Sequence, residues 1–299
     1  MRIRPFMTST SMTTPMWVSR IVRTIAWLLL AMALPAWAQT AAPAPAPSRE
    51  LRVLFVGNSL TYVNNLPRLL HAMAASQPGM PAITTMTYAA PGGTVAERWA
   101  DGHAAAALRD GHWDVLVLQE RGGLLACMVD SERRQESECR ASERAHRDFA
   151  ELAGSRGTRV LLLATWGPDG DWQRRLDEAI RKLSGKLRAS GADVAVLPAG
   201  STLRAWARSQ PADAPAFPDG VHPGLPASLV MAAQLYRAVA GEDARPHDLA
   251  IDFPLLPANA LVKPDAPLES QAQLAGDGHG LLLKADALAP LLEAARGSR

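Results

Sequence analysis

Apolar and polar positions follow two rhythms along this chain. Short, nearly continuous apolar runs rich in Val and Leu lie at 51–56, 83–88, 114–118, 159–165 and 193–197. Between them, apolar residues recur three and four apart. Leu69, Leu70, Met73 and Ala74 do so within 67–77, and Leu176, Ile180, Leu183 and Leu187 do so after the fourth run. The first rhythm predicts buried strands and the second amphipathic helices. Further helices are predicted over 94–109, 142–155 and 226–240. Strands that are apolar on both faces and alternate with helices belong to a parallel sheet covered on both sides. The expected fold is α/β, a three-layer α/β/α sandwich with a five-stranded parallel sheet over 51–241. In such sheets ligands bind beyond the carboxyl ends of the strands, so chemistry is expected just after each apolar run.

The flanks read differently. Residues 1–38 hold four arginines, no acid, and the apolar run Ile25-Ala26-Trp27-Leu28-Leu29-Leu30-Ala31-Met32-Ala33-Leu34 before Ala36-Trp37-Ala38. Basic start, short apolar stretch and small residues describe a cleavable export signal, with the cut expected after Ala38. The run is shorter than the roughly 20 residues a membrane span needs. A periplasmic or secreted protein with no stable membrane anchor after cleavage is expected. Residues 39–50 form an Ala/Pro-rich tether that cannot pack. Residues 242–299 are interrupted by prolines and are expected as a C-terminal extension without an assigned role, with a strand at 281–283 and a helix at 287–295.

Composition narrows the classes further. The chain is 48% hydrophobic and 20% charged, which excludes a disordered or collagenous protein over its 299 residues. Without residues 1–38 it carries 27 basic residues against 29 acidic ones, so no electrostatic footprint for nucleic acid exists. Cys127 and Cys139 are the two cysteines. In an oxidising compartment a disulfide is the expected state of such a pair. Closing a loop of that size stabilises by about 3 kcal/mol in the chain-entropy model. None of the seven histidines has zinc-ligand spacing, and neither metal nor organic cofactor is expected.

Four polar turns fall where chemistry is expected. Gly57-Asn58-Ser59-Leu60-Thr61 follows the first strand and can present a serine hydroxyl and its N–H to one space. Ala90-Pro91-Gly92-Gly93-Thr94 follows the second, and glycine N–H groups entering a helix suit an anion or oxyanion. Gln119-Glu120 follows the third, where the Gln119 amide can donate. Phe217-Pro218-Asp219-Gly220-Val221-His222-Pro223 precedes the last helix, with Asp and His spaced to hydrogen-bond. Each turn alone is also ordinary loop chemistry; their order in one frame gives them weight. Three Asp-Gly-His triplets, starting at 101, 110 and 277, have a shorter offset and read as solvated.

On these motifs the chain resembles the SGNH hydrolase superfamily, the GDSL-type esterases and lipases, in a branch with Gln in place of the third-block Asn. The resemblance covers about 51–240 and implies a flavodoxin-like sheet. Ser59 matches the nucleophile, Gly92 the glycine of the oxyanion hole, and Asp219 and His222 the Asp-x-x-His block. Asn58 stands where the family name has Asp. The implied chemistry is acyl transfer: Ser59 attacks an ester carbonyl, His222 takes its proton, and Asp219 orients the imidazole. Ser59 N–H, Gly92 N–H and the Gln119 amide would hold the oxyanion. Tyr62, Gly93 and Trp166 are candidate substrate contacts, and the Cys127–Cys139 bridge is expected to stiffen a long substrate-facing loop at 120–140. The preferred reading is a serine esterase for short, acetyl-type esters of small molecules or glycans. An acyltransferase on the same fold and a non-catalytic binding module are the alternatives.

Overall fold

The computed structural model describes residues 50–274 and 280–297. The expected signal 1–38, the tether up to 49 and the triplet Asp277-Gly278-His279 lie outside them. Five strands form the central sheet: β1 (Leu51–Gly57), β2 (Ile83–Ala89), β3 (Val115–Leu118), β4 (Arg159–Leu163) and β5 (Val194–Leu197). All pairings are parallel and the order is β2-β1-β3-β4-β5. This is the flavodoxin-like order, with the topological switch between β1 and β3.

Period-two alternation divides the strands between two cores. Val53 and Phe55 point to one face, and Leu54 and Val56 to the other. On the second face pack α3 (Val95–Ala100), α4 (His103–Asp110), α5 (Gly122–Ala126), α6 (Ser137–Ser155) and α7 (Gly170–Ala189). The first face takes α2 (Leu66–Ala75), α8 (Ala199–Ala207), α9 (Leu225–Ala240) and α10 (Ala285–Arg296). A single helical turn, α1 (Ser59–Tyr62), follows β1 directly. No helix among the described residues is long and apolar enough to cross a membrane.

Three sequence expectations need correction. The helix expected over 94–109 is two helices, because Gly102 turns the chain left-handed at φ 77° and ends the first. The long loop at 120–140 is built instead from α5 and two 3-10 turns, Cys127–Val129 and Arg133–Gln135, and α6 starts at Ser137. The nine-residue α8 has no counterpart in the sequence reading, since Pro198 and its short length masked its period.

The C-terminal extension is part of the main core. Its strands β6 (Leu249–Ile251) and β7 (Leu281–Leu283) pair antiparallel. Leu249, Ile251, Phe253, Leu288 and Leu292 are buried in the same cluster as Val53 and Phe55. Glu269 covers the open edge of β2: its carboxylate accepts from the Thr87 N–H (2.9 Å) and from the hydroxyls of Thr85 and Thr87. Covering the edge of a sheet with another segment blocks its pairing with another chain.

Candidate active site

The crevice between the carboxyl ends of β1 and β3 is built from Gly57 upward. A Cβ on Gly57 would lie 2.2 Å from Thr61 Oγ1 and 2.9 Å from Gln119 Oε1, so only glycine admits this turn. Asn58 then caps α1. Its Oδ1 accepts from the Leu60 N–H (3.1 Å), its Nδ2 donates to the Gly93 carbonyl (3.0 Å), and its own N–H donates to Gln119 Oε1 (3.1 Å). The amide thus ties the turns after β1, β2 and β3 together. Aspartate in this place would lack the donor to Gly93, which is the physical reason for Asn here. Ser59 follows at the first position of α1, half-buried.

From the opposite side comes the loop 217–223. Gly220 takes φ 81° and lets the chain fold back on Asp219. Asp219 Oδ1 accepts from the N–H groups of Val221 (2.9 Å) and His222 (2.6 Å), while Oδ2 lies 2.7 Å from His222 Nδ1. A carboxylate accepts, so Nδ1 carries the proton and Nε2 is left as an acceptor. His222 Nε2 is 2.9 Å from Ser59 Oγ. Partial burial pushes the Asp219 carboxyl up, but the hydrogen bonds from His222 and Val221 outweigh it and hold the group at about 2. It is therefore a carboxylate at any working pH. The arrangement is a continuous path from hydroxyl through imidazole to carboxylate, able to draw a proton off Ser59.

The remaining expected residues divide. Gly92 is exposed, at φ 62°, and neither its N–H nor that of Ser59 has a hydrogen-bond partner among the described residues. Gly93 is buried and serves the frame: its N–H donates to the Ala90 carbonyl and its carbonyl takes Asn58. Gln119 is corrected as an oxyanion donor. It is fully buried, its Oε1 accepts from Asn58 N and Thr61 Oγ1, and its Nε2 donates to the Glu120 carbonyl (2.8 Å). The extra methylene relative to Asn turns the amide back into the turn. Tyr62 is likewise no pocket wall: it is fully buried and its hydroxyl donates to the Ala258 carbonyl (2.7 Å). Trp166, also buried, stacks on Phe217 and its Nε1 donates to the Val221 carbonyl (2.6 Å), so it holds the histidine loop.

Cys127 and Cys139 form a disulfide with Cα atoms 6.0 Å apart. The segment it closes docks on α7, through Arg175 to Asp130 (2.9 Å) and Lys182 Nζ to the Met128 carbonyl (3.1 Å). That corrects the expectation of a substrate-facing flap, because these contacts put the bridge on the helical flank. Two residues were given no role by the sequence reading. Glu120 is buried, receiving the Ser142 hydroxyl (2.6 Å) and the N–H groups of Val95 and Arg121. Asn64 reaches the histidine loop with its side chain. Its signal was visible in the Asn64-Asn65 pair, since Asn tolerates left-handed backbone better than most residues.

No protein-family model and no curated protein matches the chain by sequence. Solved structures do match. An acetylxylan esterase from Geobacillus stearothermophilus is 13% identical with a TM-score of 0.50, over 65% of this chain and 96% of that one. An α/β hydrolase enzyme from the metagenome of Lake Arreo, Spain, is 14% identical with a TM-score of 0.50, over the same shares. At these identities the likeness establishes a shared fold.

Proposed function

We propose that this protein is a carboxylic ester hydrolase of the SGNH type, with Ser59 as nucleophile, His222 as general base and acid, and Asp219 as its orienting carboxylate. The observation that carries this reading is the unbroken hydrogen-bonded path from Ser59 Oγ to His222 Nε2 and from Nδ1 to Asp219, at the topological switch of the sheet. His222 takes the hydroxyl proton as Ser59 adds to the carbonyl carbon, then delivers it to the departing alcohol. Water repeats the sequence on the acyl-enzyme, with His222 again the base. The free N–H groups of Ser59 and Gly92 point to a two-donor oxyanion hole; one such donor contributes about 3–4 kcal/mol to the transition state.

The substrate class proposed is a short acyl ester, acetyl in first place, on a carbohydrate. Support comes from the fold shared with an acetylxylan esterase. An exported location rests on the apolar run and small-residue site at the N-terminus. The test is hydrolysis of p-nitrophenyl acetate, butyrate and octanoate by the protein and by Ser59→Ala. Turnover that favours acetate and vanishes in the variant is expected. Activity surviving Ser59→Ala would overturn the assignment.

A further inference from the structure

Asn64 sits between the two halves of the candidate site. It lies five residues after Ser59, just beyond α1, at φ 54° and ψ 15°. Its N–H donates to the Leu256 carbonyl (2.8 Å), which pins it from the C-terminal extension. Its Nδ2 donates forward to the Pro223 carbonyl (2.8 Å) and to Ser228 Oγ (3.0 Å) at the start of α9. Pro223 directly follows His222. The carbonyl on the other side of His222, that of Val221, takes the Trp166 indole N–H. Both carbonyls flanking the imidazole are therefore held, one from the β4 side and one from the segment that carries the nucleophile.

We propose that Asn64 is a positioning residue that sets the Ser59–His222 separation, a role that rests on the serine-esterase reading above. The choice of residue supports it. A left-handed position costs glycine nothing and any other residue something. Asparagine is the side chain that tolerates this backbone while carrying an amide long enough to reach Pro223. The loop it holds is exposed, and the bonds inside that loop fix His222 to Asp219, not to Ser59. The distance to Ser59 depends on ties from outside, and Asn64 supplies one from the nucleophile's own segment.

Asn64→Gly separates this role from folding, because it keeps the N–H to Leu256, relieves the backbone and removes only the amide. On p-nitrophenyl acetate, kcat is expected to fall about tenfold or more, the scale of a small misplacement of reacting groups. KM should stay within about twofold. The melting temperature should be unchanged or higher. The rate of fluorophosphonate inactivation should fall with kcat. Asn64→Asp, with a carboxylate facing the Pro223 carbonyl, should lose at least as much. Wild-type kcat and inactivation rate in a folded Asn64→Gly or Asn64→Asp variant would overturn the proposal alone, provided Ser59→Ala is inactive. An inactive wild type, or an active Ser59→Ala, would overturn the esterase reading and this inference with it.

Discussion

The turn at 57–61 and the loop at 217–223 deliver Ser59 and His222, the two groups proposed to react, in contrasting ways. In the turn, the residues on either side of Ser59 are tied to distant turns, Asn58 to Gly93 and Gln119 and Thr61 to Gln119, and Gly57 sits where a Cβ would overlap Thr61. The loop is open to solvent, with the Asp219 side chain 53% exposed, and is held through internal bonds and the ties to its carbonyls. One side is a rigid anchor continuous with the core. The other is a light bracket. A change in the turn should therefore reach stability and activity together, whereas a change at His222 in the loop should reach activity far more than stability.

Variants can break that contrast. His222→Ala should show the largest effect, a fall in ester turnover of about 10⁴-fold or more with little change in melting temperature, because the hydrogen bonds of the ring among the described residues go to Ser59 and Asp219, both within the site. Unfolding of this variant would contradict the light-bracket account. Gly57→Ala should do the opposite. Overlap with Thr61 and Gln119 should cost about 3 kcal/mol, read in chemical denaturation, with activity lost alongside. Asn58→Asp should cost about 1–3 kcal/mol, because the Gly93 carbonyl would face a carboxylate in place of its donor. A variant as stable as the parent would show that the amide is not the tie between the turns.

The smallest effect concerns pH. His146 is buried on α6 with its Nδ1–H on the Ser142 carbonyl (2.8 Å), and burial pushes its pKa below the usual 6.5 despite the nearby Glu120 carboxylate. The unfolded chain therefore takes up this proton first, so stability should drop as pH falls below about 6.5 and stay level above it. His146→Gln should flatten that slope. Asp219 works in a lower window: held at about 2, its contribution is present above its unfolded value of 3.8 and is lost only as pH falls through about 2.

Legibility in the sequence follows the same contrast. The strands could be read because each is a continuous apolar run buried on both faces, and the order of the Ser, Gly and Asp/His turns along them pointed to the candidate site. Periodicity says nothing about where an amide turns once buried, so Gln119 passed for a donor and Tyr62 for a pocket wall. The bonds that decided both come from residues distant in the chain: Asn58 and Thr61 for Gln119, and Ala258 for Tyr62. The extension was opaque for a related reason. Its prolines erase any period, and its role is defined by carbonyls at 254, 256 and 258 that meet Asn65, Asn64 and Tyr62.

The central claim is that Ser59 is a nucleophile activated by His222, and covalent trapping tests it most directly. The protein would be treated with a fluorophosphonate and the labelled peptide identified by mass spectrometry, alongside His222→Ala. One adduct per chain on Ser59, formed quickly in the parent and negligibly in the variant, is the predicted result. No adduct, or an equal rate of labelling without His222, would contradict the account.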